Sequence, residues 1–177
     1  MVDLQAPDIL RERCDYAYRR LLPAAGASLG LSLLLSAFLW RVRPLDQVLF
    51  WQAVMLALCL ALAVLGWRYR RAGGGDSQAW ARRLAIGAAA LGAGWGYAAA
   101  VFFPGGGDEQ VFIAFVVAVV TAGALPVFST LWWAYALYAA AAMLPFNVVL
   151  FAYGTPFQQV LGAAVPLLYI AQVATAY

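Results

Sequence analysis

Long apolar runs separated by short polar or charged breaks dominate the chain, at residues 21–40, 47–67, 84–103, 111–131, 132–151 and 157–177. Each approaches the roughly 20 residues that an α-helix needs to cross a hydrocarbon core about 30 Å thick. Inside a bilayer a helix is favoured because it satisfies every backbone donor and acceptor within its own segment. The pattern therefore predicts an all-α, polytopic membrane bundle of six transmembrane helices. The fourth and fifth runs meet at Leu131-Trp132-Trp133, with only Ser129 and Thr130 before them to mark a break, so five spans is the competing count. The expected organisation is a juxtamembrane helix over residues 1–20 followed by a membrane domain over residues 21–177.

Small residues recur at every fourth position in the first two runs, as Ala24, Ser28, Ser32 and Ser36 and then as Ala53, Ala57 and Ala61. The third run carries Gly92 and Gly96 in the same spacing. Such stripes let helix backbones approach closely, and packing within the bundle is the expected use of both. Before the first run, residues 8–20 suit a short helix on the inner leaflet, with Asp8 as a cap and Asp15 placed four residues before Arg19. This leading segment holds four acids and lacks the basic start and short apolar core of a cleavable signal peptide.

Charge sets the expected orientation. Arg11, Arg13, Arg19 and Arg20 precede the first run, and Arg68, Arg70, Arg71, Arg82 and Arg83 surround the break after the second. By the positive-inside rule both segments are cytoplasmic. With six spans, the N-terminus and the C-terminus are then both cytoplasmic, in a bacterial inner membrane.

Composition narrows the chemistry. The chain is 66% hydrophobic and 11% charged, against about 25% charged for an ordinary soluble domain, which excludes a soluble globular protein. It has no His, so imidazole ligation of haem or zinc and His-dependent nucleophiles are excluded within these residues. Cys14 and Cys59 form neither a disulfide framework nor a metal motif. No Asp, Glu, Arg or Lys falls centrally in a run, which argues against proton-coupled transport and against most hydrolytic chemistry. No catalytic, metal or cofactor site is expected in the 177 residues.

Polar and kinking residues remain. Gln52, Thr121, Asn147 and Gln172 reach membrane depth, and Pro126, Pro145 and Pro166 place one proline in each of the last three runs. Proline removes a backbone donor and can bend a helix. The leading reading is that the prolines shape the bundle and the polar side chains bond neighbouring carbonyls. The alternative is a small ligand pocket beside the glycine-rich third run, lined by Trp95, Phe103, Thr121, Pro126, Pro145 and Asn147. The string Gly106-Gly107-Asp108-Glu109-Gln110 approaches the GGDEF signature of diguanylate cyclases, but it ends in Gln and lies between two apolar runs. It is read as an external turn.

The arrangement Trp95-Gly96, Phe102-Phe103-Pro104, a short acidic loop, Gln110 and Phe112, Ala122-Gly123-Ala124, and Ala141 to Pro145 resembles a bacterial input module. It is similar to the MASE-type multi-span regions found ahead of GGDEF diguanylate cyclase domains and of histidine kinases, over residues 84–177. The resemblance implies a sensor whose last span continues as a signalling helix into a cytoplasmic output domain, usually within a homodimer. If that domain is a cyclase, it would use GTP and Mg to make cyclic di-GMP, with residues outside this sequence. The end at Ala174-Thr175-Ala176-Tyr177, with no charged flank, gives the expectation of a longer parent chain. The expected partners are the lipid bilayer, a second copy and a small or lipid-soluble ligand, with no nucleic acid. A small transporter or channel is the competing function.

Overall fold

A computed structural model of the chain describes residues 7–73, 75–103 and 107–176. Six α-helices occur among them: α1 (Pro7–Leu39), α2 (Leu45–Ala72), α3 (Ser77–Phe102), α4 (Gly107–Phe128), α5 (Trp132–Tyr153) and α6 (Pro156–Ala176). A 3-10 turn, Ser129–Leu131, joins α4 to α5, and no strand occurs among the described residues. Five helical stretches are long and apolar enough to cross a membrane: Asp8–Leu39, Leu45–Ala72, Ser77–Phe102, Glu109–Tyr153 and Pro156–Thr175. The fourth of these contains both α4 and α5.

Local chemistry sets the helix ends. Gly73 closes α2 in the left-handed conformation, φ 63°, which costs glycine little. Asp76 opens α3 by accepting from the backbone N–H groups of Gln78 and Ala79 at 3.0 and 3.1 Å. At the start of α6 the Thr155 N–H donates to Gln158 Oε1 at 2.8 Å, and the Gln158 N–H donates to Thr155 Oγ1 at 3.4 Å. This is a reciprocal capping box, with Pro156 at the first helical position where its missing N–H costs nothing.

Successive helices run antiparallel. The Tyr18 ring of α1 stacks on Tyr69 of α2 at 4.0 Å, while Ser36, nearer the other end of α1, donates to Gln52 Oε1 at 2.8 Å. Trp51 of α2 donates to the Gly94 carbonyl of α3 at 2.8 Å, and Tyr69 meets Trp80 edge-on at 5.3 Å. The chain doubles back at the 3-10 turn: the Tyr138 hydroxyl of α5 donates to the Val120 carbonyl of α4 at 3.1 Å, and Tyr138 packs on Phe128. From α5 to α6, Asn147 donates to the Gly162 carbonyl at 2.6 Å and Tyr135 donates to Gln172 Oε1 at 2.8 Å.

The core forms where α3 runs parallel to α5. A Cβ added at Gly92 would collide with the Tyr138 carbonyl oxygen, and one at Gly96 with the Ala141 carbonyl oxygen and the Pro145 ring. Ala88 and Ala99, which share the Gly92–Gly96 face of α3, and Ala134, Tyr135, Ala139 and Ala142 of α5 are buried. One end of the bundle carries the Arg-rich segments with Tyr18, Tyr69 and Trp80. At the other, Arg43 caps α3 by donating to the Phe102 carbonyl at 2.8 Å and pairs with Glu109 of α4 at 3.3 Å.

Several expectations change. The 8–20 segment and the first apolar run form one helix, α1, because Pro23 interrupts neither its register nor its apolar contacts and Tyr18 and Leu21 bury their side chains together. Asp8 lies inside the first turn rather than capping it, and Asp15 accepts from Tyr69 Oη of the neighbouring helix at 2.5 Å. Of the small-residue stripes, Ser28, Ser32 and Ser36 face α2 and α3, but Ala53, Ala57 and Ala61 point outward. The packing face of α2 is instead Val48, Trp51, Met55, Cys59, Leu62, Gly66 and Tyr69, where side chains other than Gly66 are larger than alanine's and bury more area. Of the expected external turn, Gly107–Gln110 form the first turn of α4, whereas residues 104–106 lie outside the described residues.

Candidate functional site: a cavity between α4, α5 and α6

At the end opposite the Arg-rich segments, a cavity of about 600 Å³ opens between the start of α4, the end of α5 and the start of α6. Its volume falls within the range of about 300–1,000 Å³ common for small-molecule sites. Phe103, just after α3, meets Phe146 of α5 edge-on at 5.4 Å, and both contribute to the lining. Val111, Ala114, Leu150, Val165 and Leu168 extend the apolar wall. Gln110, Thr155 and Gln158 supply a polar edge, where Gln158 Nε2 donates to Gln110 Oε1. The capping box of α6 therefore also shapes the mouth of the cavity.

The lining can bind but offers little for catalysis. Its polar groups are amides and a hydroxyl, and no carboxylate, guanidinium or thiol is among the described lining residues. Such a surface suits a neutral, mostly apolar small molecule that places one polar group against the glutamines. Among the described residues no group of three or more His, Cys, Asp or Glu is arranged to hold a metal ion.

The six candidate pocket residues are dispersed. Phe103 lines the cavity. Trp95 faces the other side of α3, where its indole donates to Ser28 Oγ at 3.0 Å and meets Trp51 edge-on at 5.7 Å. The Thr121 hydroxyl turns back to the Val117 carbonyl of its own helix at 2.8 Å. Pro126 is exposed on α4, and Pro145 rests against Gly96. Asn147 fastens α5 to α6. Thr121 and Asn147 thus bond carbonyls, whereas the Trp95 indole bonds a hydroxyl. In the same way, Gln52 bridges Ser36 and Ser32 of α1, with its Nε2 donating to Ser32 Oγ at 3.1 Å.

Sequence reasoning passed over Phe146, Thr155 and Gln158. The last two had a readable signal, because Thr155-Pro156-Phe157-Gln158 spells a capping box and so places Gln158 one turn into a helix. Phe146 carried no distinguishing mark among the many aromatics. Compared with known proteins, the chain matches no protein-family model, no curated protein and no solved structure.

Proposed function

We propose that this chain is the six-span input module of a bacterial inner-membrane sensor, of the kind that the MASE-type resemblance describes. A small neutral or lipid-soluble ligand biases the position of α6, and α6 passes that movement to a cytoplasmic output domain, a GGDEF diguanylate cyclase that makes cyclic di-GMP. The observation that carries this reading is the position of the cavity. Its walls join α6 to α5 and to Phe103 beside the α3–α5 core, so a bound molecule makes different contacts when α6 shifts. A ligand moves an equilibrium only through such differential contact.

Six crossings are supported by length and by the reversal at residues 129–131. A straight helix over Glu109–Tyr153, 45 residues, would extend about 67 Å, more than twice a hydrocarbon core of about 30 Å. An even count returns both ends to the Arg-rich side, which the positive-inside rule makes cytoplasmic.

The test uses the full-length protein with Ala114→Phe, which fills the cavity from α4. The expected result is an altered rate of cyclic di-GMP formation in cells, together with a changed distance between spin labels at Leu137 of α5 and Ile170 of α6. Unchanged output with an unchanged distance would overturn the reading. Autophosphorylation in place of cyclase activity would keep the input role and replace the output with a histidine kinase. Solute flux through proteoliposomes would favour the small transporter or channel instead.

A further inference from the structure

A second cavity, of about 560 Å³, lies at the Arg-rich end between the last turns of α2 and the first turns of α3. Leu65, Trp67, Arg68, Arg71, Trp80 and Arg83 line it. Two of the guanidinium groups lie on indole faces: Arg71 is 4.0 Å from the Trp67 ring centroid and Arg83 is 4.5 Å from that of Trp80. The spacings responsible are i, i+4 on α2 and i, i+3 on α3, which put each pair on one helix face. Stacking holds a guanidinium by its flat face and leaves its N–H edge directed at a ligand, in the geometry that pairs with phosphate oxygens.

No acidic residue is among the described lining residues, and Asp76, in the loop between the two helices, is engaged as the cap of α3. Arg71 complements the carbonyl end of the α2 dipole, but Arg83 sits in the second turn of α3, toward a helix end where a cation gains nothing from the dipole. The lining also changes character along α2. From Leu65 to Arg71 it passes from apolar through Trp67 to cationic over about 9 Å. A phospholipid makes the same transition from acyl chain to phosphate, and indoles concentrate at that depth.

We infer that this cavity binds a phosphate-bearing anion, with Arg68, Arg71 and Arg83 holding its oxygens and Leu65 beside its apolar part. The site is separate from the cavity among α4, α5 and α6 and holds whether or not the chain signals.

The test is native mass spectrometry of the full chain released from nanodiscs of equimolar phosphatidylcholine and phosphatidylglycerol, with inorganic phosphate titrated in parallel by thermal shift. Retention of phosphatidylglycerol over phosphatidylcholine assigns the anion to a lipid headgroup. Stabilisation by inorganic phosphate without lipid selectivity assigns it to a free phosphate. The absence of both effects would overturn the inference. The variant R68A/R71A/R83A should weaken retention or stabilisation by about tenfold or more, whereas R13A/R19A/R20A, which removes equal charge from α1, should change it by less than about threefold. Equal losses in both variants would show diffuse attraction and overturn the site. Should the triple variant fail to fold, R83Q at its exposed position provides the reading: a loss of about threefold or more supports the site, and no change overturns it.

Discussion

The two faces of α5 are held in different ways. Toward α3 the backbones touch: Gly92 and Gly96 lie against the Tyr138 and Ala141 carbonyls, and 56% of the most apolar stretch of α3 is buried. Toward α6 the fastening is by side chains, chiefly Asn147 to Gly162 and Tyr135 to Gln172, and only 6% of the corresponding stretch of α6 is buried. Close backbone packing has essentially one arrangement, because any slide drives a carbonyl into a Cα. Hydrogen bonds between membrane helices are each worth only about 0.6–1.7 kcal/mol and can be exchanged for others. The bundle thus joins a closely packed pair to a helix held largely by side-chain hydrogen bonds, and the larger of the two cavities lies on that side.

The comparison can be broken most forcefully at the glycines. Gly92→Ala and Gly96→Ala should each destabilise the protein by about 1–3 kcal/mol, measured by SDS titration in mixed micelles, because the opposing group is backbone and cannot rotate away. Values near zero would mean that the seam is loose. Next in size is Asn147→Ala, expected to cost about 1 kcal/mol and to speed amide hydrogen exchange in α6 while leaving α1 to α3 unchanged. Uniform acceleration throughout the bundle would erase the distinction between the two faces. A smaller effect is expected at Gly123 of α4, where an added Cβ meets nothing within 4 Å: Gly123→Ala should raise stability by under about 1 kcal/mol through helix propensity alone. The smallest, under about 0.5 kcal/mol, belongs to Ala57→Leu on the outward stripe of α2; a larger loss there would place that stripe in a contact.

These positions also show what the sequence could reveal. The apolar runs locate all six helices, because length and hydropathy are local quantities, but α1 and α3 begin well before their runs, at Pro7 and Ser77, where polar residues continue the helix. Gly92 and Gly96 were readable as a packing stripe, yet the same spacing in Ala53, Ala57 and Ala61 marks a face that nothing in the bundle covers. A period of four tells which residues share a face, not which neighbour comes to it. The six candidate pocket residues lie apart for a related reason. Trp95 and Asn147 lie on helices that touch, but Trp95 turns toward α1 and Asn147 toward α6. Only tertiary packing decides which way each helix is rotated. The cap of α3 by Arg43 is a contact over 59 residues and left no local trace.

The α3–α5 seam has a consequence for biogenesis. No charged residue follows Glu109 in the sequence, so the second half of the chain carries no positive-inside signal of its own. Its helices could enter a bilayer in either sense as far as charge is concerned. At the seam α5 runs parallel to α3, whose N-terminal end carries Arg82 and Arg83. In the proposed topology, the two glycines therefore do more than pack: they hand the orientation written in the arginines of the first half to a second half that has none.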